Sequence, residues 1–301
     1  MPEIELSAGV VEYQDTGGEG PVLVFLHGLL MDGTVWRKVV ASLRADYRCV
    51  LPTLPLGGHR RPMRPDADLS LHGMALLVGE FLDKTGLQQV TLVLNDWGGA
   101  QILLAEGRTE RIARVVLTAC EAFDNYPPGL PGRAIQMVTR IPGGIYATMQ
   151  LLRFRAARRA PGGWGWMSRR PVPREVMDGW FRPARTSAGV RRDLVRYGHS
   201  IPDRRTLLRW AEEMRSYHGP VLVVWATEDR LMPRDHGRRL AELFRDAKLV
   251  EIEDSYTLIP EDQPERLARE LREFVKVSSA LADDDHGSAR GALEDLSEGP
   301  A

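Results

Sequence analysis

The chain is poor in lysine, poor in cysteine and without any long apolar run. Only four of its 301 residues are lysines, Lys38, Lys84, Lys248 and Lys276, so arginine carries nearly all the positive charge. Genomic base composition alone can produce such a bias. The two cysteines, Cys49 and Cys120, each close an apolar run and read as small buried thiols, so nothing requires an oxidising compartment. No apolar stretch approaches the roughly 20 residues that cross a bilayer. The N-terminal Met1-Pro2-Glu3-Ile4-Glu5 also lacks the basic-then-apolar pattern of an export signal, and a cytoplasmic location is expected. A net charge of −1 excludes global attraction to nucleic acid or to an anionic membrane, so charged partners have to be met locally. No His/Cys cluster has metal-ligand spacing and no glycine run forms a dinucleotide fingerprint; neither a metal nor a cofactor is expected.

What is present is enough apolar material, 43% of residues, for one large core with a modest appendage. Residues 4–14 alternate apolar and polar as a half-buried hairpin does, and Thr16-Gly17-Gly18 closes them with turn residues. Continuous apolar runs follow at 22–26, 47–51, 90–94, 115–118, 221–225 and 249–252, separated by amphipathic helical spacing at 34–44, 70–84, 98–106, 235–245 and 263–275. Unbroken apolar strands alternating with helices predict an α/β fold, a mostly parallel sheet covered on both faces.

About a hundred residues without a strand-like run separate the fourth and fifth of these parallel strands, far more than one crossover needs. Residues 123–215 are therefore predicted to form an inserted helical cap, with 1–122 and 216–276 making the core. The stretch 131–215 holds 18 arginines against 6 acidic residues. Such a lid would favour an anionic or phenolate-bearing substrate or an acidic carrier protein, unless the arginines only solvate helix faces. Residues 277–301 are small, acidic and low in apolar content, and predict disorder.

The strand at 90–94 runs directly into Asn95-Asp96-Trp97-Gly98-Gly99-Ala100 and a helix. Two glycines let the helix start close beneath the strand, forcing residue 96 to the tip of a tight turn; the helix N-terminus favours an anion there. An aspartate at that place could also simply cap the helix. With His27-Gly28 after the first parallel strand and a helical cap, the sequence over about residues 8–275 resembles the α/β-hydrolase superfamily. Within it, Asp96-Trp97-Gly98-Gly99 is similar to the elbow of epoxide hydrolases and haloalkane dehalogenases.

The resemblance implies that Asp96 is the nucleophile: a carboxylate ionised at neutral pH can attack an sp³ carbon with no prior proton transfer. It implies an oxyanion pocket from the backbone N–H groups of Trp97 and Leu29, with His27 structural. The acid partner falls at Asp229 in Thr227-Glu228-Asp229-Arg230, with Glu121 after the strand at 115–118 as a rival; either could instead cap a turn. Where the family places its histidine base, aligned on Ile259-Pro260 and Gln263-Pro264, stands Thr257, whose hydroxyl is no base near pH 7. His59, His199 and His236 are weighed as replacements, and surface or packing roles are preferred for each. Two cap tyrosines open the ring in epoxide hydrolases, one roughly 50 residues after the nucleophile and one roughly 30 before the acid, which selects Tyr146 and Tyr197.

These features make an epoxide hydrolase-like enzyme the expected function, acting on a small hydrophobic substrate through an Asp96 ester. A haloalkane dehalogenase-like hydrolase is the alternative, and a pseudo-hydrolase that binds a ligand without turnover is a third. No nucleic-acid or membrane partner is expected, and the oligomeric state is open, a homodimer included.

Overall fold

The computed structural model describes residues 1–96 and 99–295, with side chains as far as residue 280. The core is an eight-stranded sheet. In chain order its strands are β1 (Glu3–Leu6), β2 (Gly9–Asp15), β3 (Val22–Leu26), β4 (Arg48–Pro52), β5 (Val90–Asp96), β6 (Ile112–Cys120), β7 (Val221–Ala226) and β8 (Ala247–Ile252). They lie side by side as β1-β2-β4-β3-β5-β6-β7-β8. The hairpin β1–β2 and its junction with β4 are antiparallel, and every other pairing is parallel. Strands β5 and β7 are buried along their whole length, the condition their unbroken apolar runs predict for a sheet covered on both faces.

Helices α1 (Arg37–Leu43), α2 (Leu71–Lys84) and α3 (Ile102–Ala105) belong to the first half of the core. The start of α2 follows from its sequence: the Ser70 side chain accepts from Gly73 N, and Leu71, Met74, Ala75, Val78, Phe81 and Leu82 fall on one buried face. α3 is shorter than the predicted 98–106. Gly99 sits at φ 72, outside the right-handed helical region, so regular helix begins only beyond it.

Between β6 and β7 lie only helices: α4 (Gly129–Thr139), α5 (Gly144–Leu151), α6 (Arg155–Arg159), α7 (Arg174–Thr186), α8 (Ala188–His199) and α9 (Arg204–Glu213). Of these, α4, α5 and α8 form a layer that lines a cavity with Leu29 and Leu30, just past the C-terminal end of β3. Asp193 of α8 is fully buried and receives the Met63 N–H at 2.8 Å; its Oδ2 also lies 3.2 Å from His59 Nε2, tying the layer to the loop after β4. The core closes with α10 (Arg234–Ala241), α11 (Ile259–Asp262) and α12 (Pro264–Asp295). The last helix carries on past residue 276, where composition alone places the start of a disordered tail; residues 296–301 lie outside the described residues.

Candidate active site

The chain passes from β3 to β4 on one side, then returns to place β5 on the other side of β3. That reversal opens a crevice at the carboxyl ends of β3 and β5, where ligands bind in open α/β sheets. Asp96 is the last residue of β5 and lies 3% exposed. Its φ of 63 places a non-glycine residue in the left-handed region, at a cost of about 1–3 kcal/mol. The pairing of β5 with β6 slips between Asn95 and Asp96 at the same point, so the turn is built by breaking the sheet register.

Asp96 Oδ2 accepts the Leu29 N–H at 3.2 Å. Gly28 explains how the carboxylate comes so close: a Cβ there would lie 2.0 Å from Asp96 Oδ2 and 2.6 Å from Cγ. Glu121 N donates to Asp96 O at 3.0 Å, and Glu121 Oε1 accepts from Gly99 N at 2.7 Å, so the buried Glu121 side chain braces the start of the α3 turn. His27 is structural. Its Nε2 accepts from Leu54 N at 2.9 Å, which leaves Nδ1 to donate to Gly28 O at 2.8 Å; burial pushes its pKa down and keeps the ring neutral. Trp97 lies outside the described residues.

A second group stands at the ends of β7 and β8. Asp229 Oδ1 accepts from Leu231 N at 2.8 Å, Met232 N at 2.9 Å and the Thr257 hydroxyl at 2.9 Å. Asp229 Oδ2 is buried and has no hydrogen-bond partner among the described residues. Burial raises the Asp229 carboxyl to about 6, against the pull of those three donors. Thr257 is fully buried, and its hydroxyl contacts the predicted acid, Asp229. The groups at Asp96 and Asp229 are joined by Asn95, whose Nδ2 donates to Thr257 O at 2.8 Å and to Thr118 O at 2.9 Å. Asn95 is quoted in the elbow motif, but its bridging role depends on contacts across 162 residues that no local pattern displays.

The cap supplies Tyr197, 1% exposed, and it meets Tyr126 edge-to-face with ring centroids 6.5 Å apart. Burial raises both phenols, with Glu121 adding to each and Asp96 to Tyr197, so both stay protonated at neutral pH. Tyr146 is not brought to this group. It is 49% exposed, and its ring packs under Arg191 with the guanidinium 5.1 Å from the centroid. The tyrosine that packs against Tyr197 is Tyr126. Its position just before Pro127-Pro128, at the entrance to the cap, is the signal that spacing from the nucleophile misses.

Two small cavities flank Tyr126. One of about 20 Å³ is lined by Leu29, Leu30, Ile135, Ile145 and Tyr197, and one of about 30 Å³ by Gln101, Glu121, Phe123 and Trp210. Pockets that hold organic ligands measure roughly 300 Å³ or more, so neither of these two cavities is large enough for such a molecule as it stands. Among the described residues no histidine hydrogen-bonds Asp229: His59 is held by Asp193, His199 lies 3.0 Å from Thr139 O, and His236 packs edge-on to Phe123 at 5.0 Å. No group of three or more His, Cys, Asp or Glu suited to a metal occurs among the described residues.

A strained acidic elbow at the switch point, beneath a helical layer inserted after β6, defines a class of hydrolytic fold. The family model described as "Alpha/beta hydrolase family" matches residues 23–270, and the chain belongs to that family. It is 29% identical over 273 residues to haloalkane dehalogenase 2 of Mycobacterium tuberculosis, covering 89% of this chain and 92% of the relative. It is 30% identical over 146 residues to a haloalkane dehalogenase of Mesorhizobium japonicum, covering 47% of each. Its fold is similar to the crystal structure of a haloalkane dehalogenase from Bradyrhizobium elkani, with a TM-score of 0.73 at 19% identity over 92% of this chain and 97% of the other.

Proposed function

We propose that the protein is a haloalkane dehalogenase-like hydrolase in which Asp96 is the nucleophile and the step that frees the enzyme from its ester is impaired. The observation that carries the reading is the pairing of a nucleophile-elbow aspartate, at φ 63 and bonded to Leu29 N, with a threonine bonded to the acid partner Asp229. The relatives named dehalogenases favour halide chemistry over the epoxide chemistry expected from the sequence.

In the first half-reaction an Asp96 carboxylate oxygen forms a bond to the halogen-bearing carbon. The carbon–halogen bond breaks, and the halide leaves with the electron pair. No proton moves, so no base is needed. In the second, water has to attack the ester carbonyl and lose a proton as it does so. The Leu29 N–H already points at the carboxylate oxygen on which negative charge would develop. The histidine that would accept the proton is what the site lacks, because the Thr257 hydroxyl is a donor to Asp229 and no base at neutral pH. The alkyl ester should therefore accumulate.

Peptide mass spectrometry after incubation with 1-bromobutane tests this. A butyl mass increment is expected on the peptide containing Asp96, and none in Asp96→Ala; an unmodified wild-type protein that releases no bromide would overturn the reading. A second reading, epoxide opening, is favoured by the Tyr126–Tyr197 pair, two protonated phenols within electrostatic range of Glu121, and for Tyr197 of Asp96 as well. Faster adduct formation with styrene oxide than with 1-bromobutane, lost in Tyr197→Phe, would select it.

A further inference from the structure

The cap helices α4 and α5 have two unlike faces. Inward, Ile135, Ile145 and their neighbours line the cavity beside Tyr197. Outward, they and the turns that flank them expose Leu130 (72%), Met137 (68%), Ile141 (55%), Leu151 (58%) and Phe154 (65%). Eight large apolar side chains are exposed among the described residues, and six of them fall between 130 and 154. Single exposed apolar side chains need no explanation, but a cluster of this kind marks a surface that something covers.

The charge in the same segment says what. From residue 125 to residue 174 the chain carries nine arginines and no aspartate or glutamate. Arg158, Arg169, Arg170 and Arg174 form ion pairs with Asp178, Glu228 or Asp254. Arg133, Arg140, Arg153, Arg155 and Arg159 form none among the described residues; all five are exposed, the first three between Leu130 and Phe154 in the chain and the other two following on α6. Arg155 and Arg159 are one turn apart on α6, an arrangement that like-charge repulsion disfavours unless an anion lies nearby. Arg153, Phe154, Arg155 and Arg159 also border a groove of about 750 Å³ walled by Trp164 and Met177, with no acidic side chain in its lining. Exposed apolar side chains interleaved with unpaired arginines match the boundary of an anionic bilayer, where apolar groups enter the acyl layer and guanidiniums reach the headgroup phosphates.

We propose that the outer face of α4 to α6 is a docking surface for anionic phospholipid membranes. A chain of net charge −1 is not drawn to a membrane as a whole, so docking is local and oriented, with the cap facing the lipid. The helices that wall the cavity then lie against the bilayer, and a lipophilic substrate dissolved there approaches the site from the lipid side. The surface is independent of which electrophile Asp96 attacks.

Flotation of the full chain with phosphatidylcholine vesicles, with and without phosphatidylglycerol, tests this. Binding is expected only to the phosphatidylglycerol vesicles and should weaken with added salt. Leu130→Ser/Met137→Ser/Phe154→Ser and, separately, Arg153→Glu/Arg155→Glu/Arg159→Glu should each weaken it by roughly tenfold or more at unchanged Tm. Absence of flotation, equal binding to neutral vesicles, or wild-type binding by both variants would overturn the proposal. So would a concentration-dependent dimer in sedimentation velocity that the serine variant dissolves, which would assign the face to a second copy of the chain.

Discussion

The two ends of the candidate site differ in how completely they are built. At the tips of β3 and β5, a strained Asp96, a glycine that makes room for it, the Leu29 N–H and the Glu121 brace all converge on one carboxylate. At the tips of β7 and β8, Asp229 is equally buried, but its partner is a hydroxyl, and its second oxygen has no donor among the described residues. Retaining the strain at Asp96 costs stability, whereas no histidine hydrogen-bonds Thr257 or Asp229 among the described residues. On the proposed reading the first end forms an ester, and the second lacks the histidine that would cleave it.

Restoring the second end should have the largest effect. Thr257→His sets an imidazole against Asp229 and should turn a single ester-forming event into repeated turnover, read as bromide released per protein. Damaging the first end comes next. Gly28→Ala drives a Cβ to within 2.0 Å of Asp96 Oδ2 in the present geometry, so the carboxylate has to shift. Alkylation should slow by about a hundredfold, a displacement of that size being enough to spoil the line of attack; the rate of bromide release measures it.

The electrostatic cost of Asp229 ranks third and has a definite sign. Its carboxyl is raised from an ordinary 3.8 to about 6, so the folded chain holds this proton more tightly than the unfolded chain does. The cost is absent below pH 3.8, grows as pH rises through that window, and reaches on the order of 3 kcal/mol above pH 6. Urea denaturation from pH 4 to pH 7 should show this loss in the wild type and not in Asp229→Asn. The smallest effect is expected at the link between the two ends. Asn95→Ala leaves the Thr257 and Thr118 carbonyls without their shared donor and should cost about 2 kcal/mol in the same assay.

The elbow of the first end is legible in the sequence because its parts are contiguous. An apolar run, two glycines and an acidic residue between them dictate strand, turn and helix, and the six apolar runs locate the parallel strands to within a few residues. Apart from Ile112, the extra residues of β5 and β6 are polar or small, so they fall outside apolar runs while still belonging to the strands. The second end is legible as an identity, Thr257, but the Asn95 bridge is not, because it joins residues 162 apart. Spacing selects Tyr146 and misses Tyr126 for a related reason. Both occupy the cap region, and only packing between α8 and the loop after β6 decides which ring faces inward.

The most direct test is the stoichiometry of bromide released from 1-bromobutane by the wild-type protein. A plateau at one bromide per chain, with the butyl group retained on Asp96, is the predicted result. Release that continues linearly past one equivalent would contradict the account, since it would require a base that Thr257 does not provide.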